Sequence, residues 1–141
     1  SGSTQYVFYN YVNEDIAGYF NRHKIKEVLC LDCEDLFTID FFSDFQITAS
    51  AITESFDGEL VFWCRVCRAG VPEIYAKRTV YAGQLNDKRP LYILLNKKKE
   101  HSFKTFQRFS ELLAGNNRRT QLIRSFGDRQ GRVYFELYCA E

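Results

Sequence analysis

Residues 58–70 read GELVFWCRVCRAG, and this stretch decides the predicted fold of the chain. An apolar run typical of a β-strand leads directly into a Cys-x-x-Cys pair, Cys64 and Cys67. A second pair of the same spacing, Cys30 and Cys33, also follows an apolar run. Each pair therefore stands where a strand is expected to turn, and the arrangement raises the question of what the four thiols do.

The paired spacing favours a structural zinc site. Two thiolates separated by two residues grip one side of a tetrahedral zinc, and two such pairs complete the coordination. Thirty residues, 34–63, lie between the pairs, more than in a short zinc finger. A zinc-ribbon-like or treble-clef-like site with an inserted hairpin fits this spacing. Because four thiolates close the metal to water, the zinc is expected to stabilise the fold rather than catalyse a reaction.

Two other uses of the four cysteines remain open. Disulfides require an oxidising compartment, and a fifth cysteine leaves the set uneven. A redox Cys-x-x-Cys needs a following helix that lowers the thiol pKa, and neither pair is followed by a helical pattern. The fifth cysteine, Cys139, lies in an apolar strand and is interpreted as a packing residue. His23 is a helix residue rather than a substitute ligand, and His101 belongs to a solvated turn.

Composition predicts a folded globular domain that does not cross a membrane. Of its 141 residues, 45% are hydrophobic and 16% aromatic, which supplies a real core. No apolar run reaches the length of about 18 residues that a membrane helix needs. The opening residues 1–3, SGS, are typical of a cloning remnant, and methionine is absent, so we expect a piece of a larger intracellular protein.

The net charge of +1 hides a division of the chain. Residues 1–87 hold 7 Lys and Arg against 13 Asp and Glu, a net −6, whereas residues 88–141 hold 12 against 5, a net +7. We therefore separate an acidic zinc-binding half, 4–87, from a basic half, 88–141, within one compact domain. Either the two halves attract each other, or the basic half meets an anionic partner.

Periodicity predicts an α+β fold with two helices and mostly antiparallel strands. The first helix spans 13–26, with Asn13 as its N-cap. The second lies within 101–115, with Ser102 as its cap and Gly115 at its end. Its apolar arc consists of Phe103, Phe106, Phe109, Leu112 and Leu113. Residues 27–40 are predicted to form a strand, a tight knuckle and a second strand. Further strands are predicted at 45–53, 59–64, 73–83 and 91–95, and a hairpin at 120–126 and 132–139.

The cations of the basic half suggest a phosphate-binding surface. They are Lys97, Lys98, Lys99, Lys104, Arg108, Arg118, Arg119, Arg124, Arg129 and Arg132. If the second helix and the hairpin pack together, several of these side chains share one surface, as in sequence-independent binding of DNA or RNA. Tyr134 and Tyr138 alternate with core residues and are expected to face outward and stack on bases. The alternative is an ordinary solvated face.

Two rival functions remain open. A protein-interaction or homodimer surface is suggested by Phe41, Phe42 and Phe45, which stand close together among acidic residues. A metal-dependent, nuclease-like enzyme is suggested by carboxylates, among them Asp40 and Asp44. We favour binding over catalysis, because the chain has no P-loop or dinucleotide-binding motif and has only two histidines.

Overall fold

The computed structural model describes the backbone of residues 2–31, 48–54, 60–64, 67–68, 71–72, 76–79 and 89–141, and the side chains of 12–31 and 89–141. Its two described helices are α1 (Gly2–Arg22) and α2 (Glu100–Gly115). Neither is long and apolar enough to span a membrane. The strands are β1 (Glu27–Cys30), β2 (Thr48–Glu54), β3 (Leu60–Cys64), β4 (Cys67–Arg68), β5 (Val71–Pro72), β6 (Ala76–Thr79), β7 (Leu91–Asn96), β8 (Thr120–Gly127) and β9 (Val133–Ala140).

Seven of these strands form one mixed sheet in the order β6-β3-β2-β1-β7-β9-β8, and β4 and β5 form a separate two-stranded ribbon. β1 lies parallel to both β2 and β7, while the other described pairs are antiparallel. The α+β class with mostly antiparallel pairing is thus confirmed. Strands from both the acidic and the basic half belong to the same sheet.

The two helices cover opposite faces of this sheet. On one face, Val12, Ile16 and Phe20 of α1 pack on a core that includes Phe126 and Leu137. On the other face, Phe109 and Leu113 of α2 pack on a second core. The second core also contains Leu29, Leu31, Ile93, Leu95 and Ala140. Among the four strands whose side chains are described, β1 and β7 contribute buried apolar residues to both cores.

Two predicted helix caps are wrong, and the predicted apolar arc of α2 is right only in part. Asn13 is not an N-cap, because α1 begins at Gly2 and encloses it as a buried residue. Ser102 is not the cap of α2 either: Lys99 takes that place, and the buried Ser102 hydroxyl donates to the carbonyl of Leu31 at 3.4 Å. The predicted apolar arc is confirmed at Phe106, Phe109 and Leu113, which pack on the second core, but it is too wide. Phe103 and Leu112 are exposed, while Ser102 and Thr105 are buried.

The terminal hairpin agrees closely with its prediction. β8 and β9 pair along their whole length, from Thr120 opposite Ala140 to Gly127 opposite Val133. Two register shifts interrupt the ladder, one between Leu122 and Arg124 and one between Phe126 and Gly127. β9 is also hydrogen-bonded to β7, so the hairpin is an integral part of the sheet.

Candidate nucleic-acid interface

Two loops of the basic half meet at one end of the sheet. The first, residues 97–99, connects β7 to α2, and the second, residues 128–132, connects β8 to β9. They lie together because β7 and β9 are antiparallel, with Asn96 opposite Phe135. The main-chain NH of Lys97 donates to the carbonyl of Tyr134 at 2.9 Å, which joins the first loop directly to the base of the second.

Five of the ten predicted cations lie in these loops. We call the set the basic end; it consists of Lys97, Lys98, Lys99, Arg129 and Arg132. All are exposed except Lys99, which is half-buried. The N-terminus of α2 opens onto the same end, and its N-cap makes no side-chain cap bond. Helix N-termini carry a partial positive charge, so the helix adds to the potential of the two loops.

Tyr134 holds the two loops together. The ammonium nitrogen of Lys98 lies 4.0 Å from the centre of the Tyr134 ring, a cation–π contact. The Tyr134 hydroxyl donates to Oδ2 of Asp128 at 3.0 Å. This hydrogen bond, with burial, raises the pKa of Tyr134 above its ordinary value of 10.0. The residue therefore organises the basic end and does not offer an open ring to bases, contrary to the sequence expectation.

Each loop is ordered by one short polar side chain. In the first loop, the buried Asn96 accepts a bond from the NH of Lys98 at 3.0 Å. In the second, Oδ1 of Asp128 accepts from the NH groups of Gln130 and Arg132, each at 2.9 Å. Sequence reasoning missed both anchors, although an aspartate before turn residues is a recognised signal for such a loop.

Three carboxylates, Asp128, Glu136 and the exposed Glu100 in the first turn of α2, reduce the charge of the five cations at the basic end without cancelling it. Glu136 lies 3.8 Å from the Lys97 ammonium and also accepts from the Tyr138 hydroxyl. Asp128 is occupied by the hydrogen bonds that order the second loop. Tyr138 does not face outward as predicted: its ring packs on Phe106 at 4.5 Å beneath α2, and burial with the nearby Glu136 raises its pKa to about 12.

The other five predicted cations lie away from this surface or along its flank. Lys104 and Arg108 are exposed on α2. Arg118 is 7% exposed and donates to the carbonyls of Arg89 and Ala140, at 2.7 and 3.0 Å. Arg119, its neighbour, is at the opposite end of the sheet, where its main chain pairs with Glu141.

Arg124 has a structural contact on the α1 side of the hairpin. Its guanidinium lies 3.8 Å from Asp15 and about 5 Å above the rings of Tyr19 and Phe126. It therefore attaches the edge strand β8 to α1. Arg124 is exposed, but it lies on the α1 side of the hairpin and is not part of the basic end.

The predicted zinc ligands fall mostly outside the described side chains. Cys33 lies outside the described residues, as do the side chains of Cys64 and Cys67. Within the described residues, no group of three or more His, Cys, Asp or Glu side chains is placed to hold a metal. The four-cysteine site therefore stays a prediction. Asp40, Asp44, Phe41, Phe42 and Phe45 also lie outside the described residues.

The backbone does place a constraint on that site. Cys30 ends β1 and Cys64 ends β3, so both pairs begin at the last residue of a strand, as predicted. However, Cys30 is buried in the core beneath α1, and it pairs with Ala51 while Cys64 pairs with Ser50. Neighbouring strand positions belong to opposite faces, and two strand spacings are about 10 Å. Because zinc–thiolate bonds are only about 2.3 Å long, this strand register does not favour one zinc held by both Cys30 and Cys64.

Three further side chains from the sequence predictions have clear positions. Cys139 is buried, as expected, and burial raises the pKa of its thiol. His23 is exposed just beyond α1, with its ring 4.1 Å from that of Tyr19. His101 is exposed in the first turn of α2.

Comparisons with protein families, with curated proteins and with solved structures gave no match for this chain.

Proposed function

We propose that the chain binds the phosphate backbone of a nucleic acid through the basic end. The observation that supports this proposal is the convergence of two separate loops, 97–99 and 128–132, at one end of the sheet. Both loops are ordered by hydrogen bonds from main-chain NH groups to an Asn or Asp side chain, so the backbone that carries the cations loses little freedom on binding. Phosphate contacts of this kind give affinity without sequence preference, and they depend strongly on salt.

The flank of α2 extends the proposed surface. Lys104 lies about one turn from the start of the helix and is exposed, and the exposed Arg108 follows one turn later. A phosphate backbone that contacts the basic end and runs along the outer side of α2 would meet these cations in succession. Arg118 has no part in this proposal, because its buried guanidinium donates to the carbonyls of Arg89 and Ala140.

The test is a salt series of binding measurements on a short DNA duplex and on a short RNA. We compare the natural chain with a double variant, Lys98→Gln with Arg129→Gln. The matched control is Arg22→Gln with Lys26→Gln, which removes the same charge from exposed positions elsewhere in the fold. On duplex DNA, the basic-end variant is expected to reduce the slope of log K against log salt by about 0.9 for each phosphate that it no longer neutralises.

Two results would count against the proposal. If neither nucleic acid is bound even at low salt, the basic end is a solvated surface. If both double variants weaken binding equally, binding follows net charge rather than this surface.

We keep as a second proposal the intracellular, zinc-stabilised module predicted from the cysteines. Its support is the spacing of the two Cys-x-x-Cys pairs, each of which begins at the last residue of a strand. Metal analysis of the purified protein is expected to find one zinc per chain, absent from Cys67→Ser and kept in Cys139→Ala. Less than about half a zinc per chain with intact thiols would contradict it, because closed thiolate sites hold zinc tightly.

A protein partner or a homodimer is the competing function, and the edge strand β8 favours it. Leu122 and Ile123 are 49% and 42% exposed there, beside a register shift in the ladder. Exposed apolar residues on an edge strand invite pairing with another chain. Sedimentation of the natural chain and of Ile123→Lys tests this function. A natural chain that is dimeric and a variant that is monomeric would support it.

A further inference from the structure

A depression of about 490 Å³ lies at the other end of the molecule from the basic end. It is formed where the C-terminus of α2 meets the start of β8. Its lining residues are Ser110, Ala114, Asn117, Arg118, Arg119 and Thr120. The volume is within the range of pockets that hold small ligands. Because α2 has 16 residues, about 24 Å of helix separates this corner from the basic end.

Two hydroxyl groups in this corner are shielded from water. Neither Oγ of Ser110 nor Oγ1 of Thr120 has a hydrogen-bond partner among the described residues. Buried hydroxyls are nearly always paired, because giving up a hydrogen bond to water without replacing it is costly. Each can donate one proton, and both belong to residues that line the same depression.

Cations complete the lining. The Arg118 guanidinium is held inside the fold by the carbonyls of Arg89 and Ala140, so its charge is fixed beside the depression. Arg119 is exposed at the rim, and its main chain is fixed by reciprocal bonds with Glu141 at 3.0 and 3.1 Å. None of the six lining residues is acidic.

The C-terminus of α2 does not oppose an anion as strongly as a bare helix end would. The carbonyl of Leu113 accepts from the NH groups of Asn116 and Arg118, and that of Ala114 accepts from Asn117. The Asn116 side chain also donates to the carbonyl of Leu112 at 2.9 Å. These bonds occupy the carbonyls that carry the negative end of the helix dipole.

We propose that this corner is a second site, which binds a single phosphate group. Arg119 would supply a charge-assisted hydrogen bond from the rim. The hydroxyl oxygens of Ser110 and Thr120 each expose less than 1 Å², so both side chains would have to rotate about χ1 to donate to the phosphate from the wall. A tetrahedral oxyanion accepts from several donors at once, which suits the exposed Arg119 together with two hydroxyl donors, beside the fixed charge of Arg118. The phosphate is carried either by the free ion or by a small phosphomonoester, since the chemistry is shared.

The experiment measures the melting temperature and amide chemical shifts with three probes at equal ionic strength: chloride, inorganic phosphate and adenosine monophosphate. The variants are Thr120→Val, Ser110→Ala and Arg119→Gln, with Ser125→Ala and Lys26→Gln as controls. Ser125 and Lys26 are exposed and do not line the depression.

Phosphate is expected to raise the melting temperature of the natural chain in a saturable way, and to shift the amides of residues 118–120. In chloride, Thr120→Val is expected to melt at or above the natural chain, because an unpaired hydroxyl is replaced by a methyl group of the same shape. In phosphate, that variant and Arg119→Gln should each lose at least tenfold in affinity, while the controls keep it. Stronger binding of adenosine monophosphate than of phosphate identifies the phosphomonoester as the source.

Three outcomes would overturn the proposal. The first is that phosphate stabilises the chain no more than chloride does. The second is that the hydroxyl variants bind phosphate as well as the natural chain, which leaves only surface ion pairing to Arg119. The third is that the shifted amides lie at the basic end, which would support the proposed nucleic-acid surface and remove the second site.

Discussion

At the residue scale, Gly127 fixes the geometry from which the second loop of the basic end projects. A Cβ atom there would overlap the carbonyl oxygen of Arg132, a main-chain atom that cannot move cheaply. The residue lies at the register shift that closes the hairpin ladder. A side chain at this position would therefore push the two strands apart at the point where the loop that carries Arg129 and Arg132 begins.

The variant Gly127→Ala is expected to lower the free energy of unfolding by about 1–3 kcal/mol, because the added methyl group overpacks the main chain. Gly115→Ala is the matched control, since nothing lies within 4 Å of a Cβ built at that position. The control should be neutral or stabilising by up to about 1 kcal/mol. Chemical denaturation measures both, and equal stability of the two variants would contradict this role of Gly127.

Asp128 makes the second loop sensitive to acid. The NH of Arg132, the hydroxyl of Tyr134 and the NH of Gln130 hold the pKa of Asp128 below its ordinary value of 3.8. The folded loop therefore prefers the carboxylate. Its contribution to stability is fully present above about pH 3.8 and is lost as the pH falls through the lowered value.

We expect the amide signals of Gln130 and Arg132 to titrate with a midpoint below 3.8. In Asp128→Asn, which keeps an acceptor oxygen but has no charge to lose, the same signals should not titrate in this range. Nuclear magnetic resonance across an acid series measures both proteins. A midpoint at or above the ordinary value in the natural chain would contradict the loop contacts.

At the element scale, the connection between α2 and β8 contains two arginines with different roles. Arg118 and Arg119 are adjacent and carry the same charge, but only Arg118 is buried and bonded to main-chain carbonyls through its guanidinium. Those carbonyls belong to Arg89, just before β7, and to Ala140, at the end of β9. The guanidinium therefore fastens the ends of two central strands to the α2–β8 connection.

Arg118→Gln is expected to lower the free energy of unfolding by about 1–3 kcal/mol, because two carbonyls lose a charged donor. Arg119→Gln, measured without phosphate, should change it by no more than about 0.5 kcal/mol, as is usual for an exposed side chain. Both variants should bind nucleic acid with nearly the affinity of the natural chain. Equal loss of stability in the two variants would contradict the buried role of Arg118.

At the scale of the whole molecule, the sequence pattern predicted those elements whose structure depends on residues close together in the chain. The hairpin of β8 and β9 and the body of α2 follow from alternation and helical spacing, and they were confirmed to within a few residues. The parallel pairing of β1 with β2 and β7 was not predicted, because it joins segments far apart in the chain. The predicted N-cap at Asn13 was wrong for a local reason: the residues before it, from Gly2 on, extend the helix.

The basic end, too, could be predicted from the sequence only in part. Composition identified ten cations, but only the antiparallel pairing of β7 with β9 brings five of them together. No sequence pattern distinguished the buried Arg118 from the exposed Arg119. The inward packing of Tyr138 also depends on α2 lying over that face of the sheet, where Phe106 meets its ring.

The central claim is that loops 97–99 and 128–132 form one phosphate-binding surface, and amide chemical-shift mapping during titration with a short nucleic acid tests it most directly. The predicted result is that the largest shifts lie in those two loops and in the first turn of α2, and that they diminish together as salt is added. Shifts centred on the edge strand β8 or on residues 118–120, or no shifts at low salt, would contradict it.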